Sequence, residues 1–331
     1  MVRLQFVCTV RPLKSPFPLN LQAFELNPFK ESWVAGPHDT EFYTRTYNIH
    51  PASSRPQAHV IYVHGHTEHI GRHDLIFPQW IARGVSVFAF DQRGFGRTAN
   101  DRWHNGASKG EELSEAVVEE RYSVSSWEQQ MNDLAFFIRR ERERVGDVPI
   151  FLVGYSMGGA ESLSFACRPH PHKEALKLIK GIIAFSPPLG PAIKQGEFTV
   201  HGQDDRMDIN WGFNAQFLSR DNRVVLAFRA DPFIRSVCHV GLAKDIWYNG
   251  AQLLEKHYKT WPEDLPVLVI HGSGDLVITS YADSKAFVEK LRATDKRYSL
   301  IPGAFHELHH EPDGVGTNFV NECITWVMTH A

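Results

Sequence analysis

The chain has 331 residues, 43% hydrophobic and 22% charged, enough apolar mass for one large domain with an insertion or for two domains. A net charge of −3 without a basic stripe argues against a nucleic-acid partner, and with no uncharged apolar run near the roughly 20 residues that span a bilayer, any membrane contact is expected to be peripheral. Cys8, Cys167, Cys238 and Cys323 are far apart with no C-x-x-C pair, the pattern of reduced, packed thiols in a cytoplasmic protein, and Arg11 closes the short apolar start too early for a cleaved signal peptide.

Along the chain, strands and helices alternate. Glu41–Tyr47 alternates like an antiparallel strand. His59–Val63 is a short apolar strand, followed by the polar loop His64–His73 and a helix near Leu75–Ala82. Val85–Phe90 is the next strand, ending in Asp91-Gln-Arg-Gly-Phe-Gly96. The stretch Asn100–Arg121 is charged, has no clean period and reads as a surface excursion. Ser126–Arg144 is a helix, with Trp127, Met131, Leu134 and Ile138 on one face. Pro149–Val153 and Lys180–Ser186 are strands, and Pro187-Pro188 stops the second. Val267–His271 and Tyr298–Ile301 follow, with helix Tyr281–Arg292 between them, and a helix closes the chain. This order predicts a mostly parallel sheet covered by helices on both faces. Residues 187–261 break the rhythm and are rich in aromatic and aliphatic side chains, among them Trp211, Phe213 and Phe217. They are expected to form a helical cap at the strand C-termini, where ligands bind in open α/β folds. Residues 1–186 and 262–331 form the core.

The strongest chemical signal is Gly154-Tyr-Ser-Met-Gly158, between an apolar strand and a helix start. A serine on such a sharp turn exposes its hydroxyl at the top of the sheet, and the glycines keep side chains out of the turn. A nucleophilic serine needs a base, and the base needs an orienting acid. Such elbows use the chain order Ser, acid, His. Strand Val267–His271 runs into Asp275, and strand Tyr298–Ile301 runs into His306, so Ser156, Asp275 and His306 are the candidate triad. The oxyanion needs two N–H donors. The backbone of Met157 supplies one, and the backbone of His66, after the permissive Gly65, supplies the other.

A competing pattern is His306-Glu-Leu-His-His310, which fits the zinc-peptidase motif H-E-x-x-H. That motif needs both histidines on one face of a helix. Here it starts at a strand end and Pro312 follows closely, so neither a metal nor any other cofactor is expected. His64, His66, His69 and His73 are read as a polar active-site loop rather than a metal cluster.

Val63-His-Gly-His-Thr-Glu-His-Ile-Gly-Arg72, Phe90-Asp-Gln-Arg-Gly-Phe-Gly96, the Ser156 elbow and Gly272-Ser-Gly-Asp275 together resemble the monoacylglycerol lipases of the α/β-hydrolase fold, the serine aminopeptidase S33-like lysophospholipase group. Asp231-Pro-Phe-Ile-Arg235 resembles its fungal branch. The resemblance runs from about Trp33 to the C-terminus. It implies an α/β-hydrolase core with a cap after the sixth strand, and the same triad and oxyanion donors. It also implies cleavage of a monoacylglycerol or similar lipid ester, with the enzyme resting peripherally on a membrane or lipid droplet. Glu68 and Arg72 match positions near the glycerol-head pocket, although a buried ion pair that fixes the loop explains them equally well. Phe217 is expected to line the acyl tunnel. Position 66 is His where many members carry a small or apolar residue. A lysophospholipase or broad carboxylesterase would share every catalytic residue. A non-catalytic binding protein of the same fold is the distant alternative, disfavoured by the complete Ser–Asp–His set.

Overall fold

The apolar runs become the strands of one sheet. The computed structural model describes residues 29–49, 54–102, 111–190, 206–208, 214–235, 237–277 and 280–331. The strands in chain order are β1 (Lys30–Ala35), β2 (Glu41–Tyr47), β3 (Ala58–Val63), β4 (Val85–Phe90), β5 (Asp101–Arg102), β6 (Glu111–Glu112), β7 (Ile150–Tyr155), β8 (Ile179–Phe185), β9 (Arg206–Asp208), β10 (Val237–His239), β11 (Val267–Gly272) and β12 (Lys296–Ile301). Among the described residues, eight of them form a sheet in the order β1-β2-β4-β3-β7-β8-β11-β12. From β4 to β12 every neighbouring pair is parallel, while β1–β2 and β2–β4 are antiparallel. The pairs β5–β6 and β9–β10 are short separate ribbons.

The inner parallel strands are mostly apolar because both sheet faces are covered there, whereas β12 at the edge carries exposed Lys296 and Arg297. β3, β4, β7 and β11 are buried at every position. Alternate residues face opposite cores: Ile61, Val63, Phe88 and Phe90 pack on one side, Val60, Tyr62, Val87 and Ala89 on the other. The first core is closed by α4 (Trp127–Val145), α5 (Met157–Cys167) and α9 (Tyr281–Lys290), the second by α1 (Phe77–Ala82) and α10 (Val315–His330). The face of α4 read from the sequence is buried, and Ser126 starts it with a capping box: its Oγ accepts the Gln129 N–H at 3.3 Å while Gln129 Oε1 accepts the Ser126 N–H at 3.0 Å.

Two sequence expectations change. β1 lies outside the strands foreseen, and its outward edge and mixed burial gave it no period. The Asn100–Arg121 excursion is not featureless: α2 (Gly96–Asn100) leads into the β5–β6 ribbon, and α3 (Glu115–Arg121) follows. Only Val118 of α3 is buried, too little apolar surface to mark a face. Residues 103–110 lie outside the described part, as do Cys8, Trp211 and Phe213. Cys167, Cys238 and Cys323 are free and buried.

After β8, the sixth strand of the sheet in chain order, the chain leaves the sheet until β11. The described part of this insertion includes α7 (Asn222–Ala230) and α8 (Val240–Glu255), and α6 (Lys173–Leu176) precedes β8.

Candidate active site

Ser156 joins the end of β7 to the start of α5. Its backbone sits at φ +51°, ψ −119°, a conformation side chains rarely adopt and that surroundings must impose. They do: the Ser156 N–H donates to the Phe185 carbonyl at 2.9 Å, and its carbonyl accepts the Ala160 N–H at 3.0 Å. The two glycines are steric requirements. A Cβ on Gly154 would strike the Gly158 carbonyl, and one on Gly158 would strike the carbonyl of Val63 on the neighbouring strand.

The strand ends bring the other two predicted residues to this serine. His306 Nε2 lies 3.0 Å from Ser156 Oγ, and His306 Nδ1 lies 2.6 Å from Asp275 Oδ2. With Nδ1–H donating to the carboxylate, Nε2 is free to accept the serine proton. All three side chains are buried. Asp275 is held further: Oδ2 lies 3.0 Å from His271 Nε2, and Oδ1 accepts the Val277 N–H at 2.9 Å. Burial opposes its charge, but the adjoining His306 and His271 outweigh it and hold the carboxyl well below the usual range. His271, next to last in β11, was missed from sequence. It is oriented by Ser284 Oγ at 2.9 Å from its Nδ1, a contact between strand and helix that no local spacing reveals.

The two backbone N–H groups expected as oxyanion donors are those of Met157, which directly follows Ser156, and His66, in the loop after β3. Met157 opens α5, so its N–H has no intrahelical acceptor. The N–H of His66 has no backbone acceptor among the described residues. The loop that carries it is braced on several sides. His64 Nδ1 donates to the Gly65 carbonyl at 2.7 Å while its Nε2 accepts the Gln92 N–H at 2.8 Å. The Gln92 side chain donates to the His64 carbonyl at 2.7 Å, and the Gly65 N–H donates to Glu68 Oε1 at 2.6 Å. The His66 ring meets Cys238 Sγ at 3.1 Å and the edge of Phe95. Burial pushes its pKa down to about 4, so it is uncharged at neutral pH.

Glu68 and Arg72 are engaged below the loop rather than displayed to a head group. Arg72 bridges Glu68 Oε2 at 2.8 Å and Glu307 Oε1 at 2.7 Å. His73 Nε2 reaches Glu68 at 3.1 Å, and His310 Nδ1 reaches Glu307 at 2.7 Å. Burial works against both carboxylates. For Glu307, Arg72 and the His310 ring prevail and hold it well below its usual range, while Glu68, sharing the same guanidinium, is left raised. The geometry fits the ion-pair reading of these residues. It also disposes of H-E-x-x-H. Glu307, His309 and His310 do converge within 4.8 Å, but the Arg72 charge sits on Glu307, and His310 Nε2 is on the Arg72 carbonyl at 3.0 Å. His306 faces the serine instead.

Phe217 lies beside the base. Its carbonyl accepts the His306 N–H at 3.2 Å and the Leu218 carbonyl accepts the Glu307 N–H at 2.7 Å. Its ring is partly buried against Phe305, with centroids 5.9 Å apart.

A model of the serine aminopeptidase S33 family matches residues 54–313. The chain belongs to this family. Among its S33 relatives, the monoglyceride lipase of Rattus norvegicus is 28% identical over 285 residues, covering 83% of this chain and 84% of that one. The monoglyceride lipase of Saccharomyces cerevisiae is 26% identical over 304 residues, covering 85% and 88%. The crystal structure of a soluble variant of the Saccharomyces cerevisiae monoglyceride lipase in complex with a substrate analog superposes with a TM-score of 0.76 at 22% identity, covering 96% of this chain and 99% of that one. The S33 chain thus has the α/β-hydrolase fold.

Proposed function

We propose that this chain hydrolyses the ester bond of monoacylglycerols to glycerol and a fatty acid, with Ser156 as nucleophile, His306 as base and Asp275 as orienting acid. The observation that carries the reading is the continuous contact from Asp275 Oδ2 through His306 to Ser156 Oγ, at 2.6 and 3.0 Å, on a serine set at positive φ. Monoglyceride lipases among the relatives support the substrate class.

His306 Nε2 takes the Ser156 proton as Oγ attacks the ester carbonyl. The oxyanion that forms is held by the His66 and Met157 N–H groups. His306 then gives its proton to the departing glycerol oxygen, which leaves an acyl-enzyme. Water attacks that ester with His306 again as base, and the proton returns to Ser156 as the acid departs. Asp275 keeps Nδ1 protonated and stabilises the imidazolium throughout. Residues 187–261 act as the cap over this serine, with Phe217 at the acyl side, and rest against the lipid surface that carries the substrate. Among the described residues no helix is long and apolar enough to cross a membrane.

The test is labelling with a fluorophosphonate, followed by a turnover panel of monoacylglycerol, lysophosphatidylcholine and a short p-nitrophenyl ester. Wild type should label and Ser156→Ala should not, with turnover lost by three or more orders of magnitude, roughly. Labelling of the Ser156→Ala protein would overturn the nucleophile. Faster turnover of lysophosphatidylcholine than of monoacylglycerol would overturn the substrate and leave the chemistry standing.

A further inference from the structure

The excursion after β4 has no part in the chemistry above, yet the residue that directly follows it reaches the loop that carries His66. Tyr122 directly follows α3 and is buried. Its hydroxyl donates to the Thr67 carbonyl at 3.1 Å and accepts the Arg235 N–H at 3.1 Å. Thr67 is the residue after His66. It is β-branched yet sits at φ +63°, in the left-handed region where such a side chain is strained and stays only if its neighbours hold it. Rotation of Thr67 out of that region would shift the His66–Thr67 peptide and, through the His66 backbone, the Gly65–His66 peptide that carries the His66 N–H. The other anchors of the loop grip its two sides: Gln92 on the His64 carbonyl, Glu68 on the Gly65 N–H, and Asp91 Oδ1 on the Ile70 N–H at 2.8 Å. The strained carbonyl itself is taken by Tyr122.

The second contact of the same hydroxyl ties this loop to the insertion. Arg235 ends the Asp231-Pro-Phe-Ile-Arg segment, and its guanidinium pairs with Glu115 of α3. Asp231 of that segment receives His69 Nε2 at 2.8 Å, again from the oxyanion loop. Phe95 packs edge-on against the Tyr122 ring with centroids 5.6 Å apart, so the ring is seated independently of its hydroxyl. Burial raises the phenol above its ordinary range, and it stays protonated as a donor.

We propose that Tyr122 is a positioning residue for the oxyanion hole: its hydroxyl locks the Thr67 carbonyl, fixes the His66 N–H on the reacting oxygen, and fastens that loop to the insertion. The inference rests on the reading of His66 as an oxyanion donor. It gives the α3 excursion a purpose, which is to deliver one phenol beneath the loop.

Tyr122→Phe tests it, because the ring packing survives and only the oxygen is lost. On a short p-nitrophenyl ester, kcat should fall about tenfold, less than the hundredfold or more that follows deletion of an oxyanion donor. KM should stay within about twofold, since ground-state binding is untouched. A trifluoromethyl ketone adds to the serine and places its oxyanion in the hole, so its inhibition constant should rise by the same factor as kcat falls. Unchanged kcat would overturn the proposal. So would a fall in kcat with unchanged ketone affinity, which would make Tyr122 a packing residue only. Failure of the wild-type protein to label or turn over would instead count against the functional reading, and is visible before any variant is made.

Discussion

Glu161 is five residues past the nucleophile on α5 and fully buried. Its carboxyl adjoins the Gln92 side chain, which alone does not replace the lost water. A bare carboxylate there is costly, and burial, helped by the nearby charge of Asp133, raises its pKa well above the ordinary 4.5. The folded chain therefore keeps a proton that the unfolded chain releases. For an acid raised in this way, stability falls as pH climbs past the unfolded value. Glu161→Gln removes that penalty. The Tm of the variant relative to wild type should rise as pH climbs above the ordinary value of 4.5, read by thermal unfolding. A constant difference across that range would mean that Glu161 is ionised in the fold. At this scale the triad was legible, because Ser156, Asp275 and His306 each sit just past an apolar strand. His271 and Tyr122 were not, since Ser284 and Thr67, which engage them, lie elsewhere along the chain, and Glu161 was not, since only packing buries it.

The elements that carry the site are the β7–Ser156–α5 turn and the ends of β11 and β12. The turn was readable because its glycines answer a local need. Gly158→Ala would drive a methyl into the Val63 carbonyl, where backbone cannot yield as a side chain can. Overpacking of this kind costs roughly 1–3 kcal/mol. The variant should lose Tm and also kcat, because the strain falls between the turn that carries Ser156 and the start of the loop after β3. A variant with wild-type kcat would show that the elbow has slack. Buried parallel strands were equally readable, since a run covered on both faces must be apolar along its length. β1 and α3 were not, because a half-exposed edge strand and a helix with one buried valine leave no period to find. The acyl-chain role proposed for Phe217 belongs here too. Phe217→Ala should weaken the preference for long acyl chains, by up to about 0.8 kcal/mol for each methylene no longer buried, and spare a short ester. Its carbonyl would still hold His306, so equal losses on both esters would make the ring structural.

Over the whole molecule, Glu68–Arg72–Glu307–His310 joins the loop after β3 to the loop after β12. One buried guanidinium thus ties the loop that carries His66 to the loop that carries His306. Arg72→Met would strand two buried carboxylates, and breaking a buried pair in this way costs roughly 3–5 kcal/mol. Tm should drop sharply and kcat should fall on every ester alike. If Arg72 bound the glycerol head, KM would rise for monoacylglycerol alone and Tm would hold.

The order of most strands and helices, the serine on its elbow and the placement of Asp275 and His306 after the late strands were determined by the sequence itself. Each follows from local periodicity, turn chemistry and chain order, which act over a few residues. What occupies Glu68 and Arg72, which groups orient Asp275, and what the Tyr122 hydroxyl touches were decided only by the tertiary structure. H-E-x-x-H is a metal motif on a helix and part of a serine site at a strand end. The letters are the same in both, and only the packing of residue 307 against residue 72 fixes the charge at that place. Contacts of that kind join segments far apart along the chain, and no spacing within either segment encodes them.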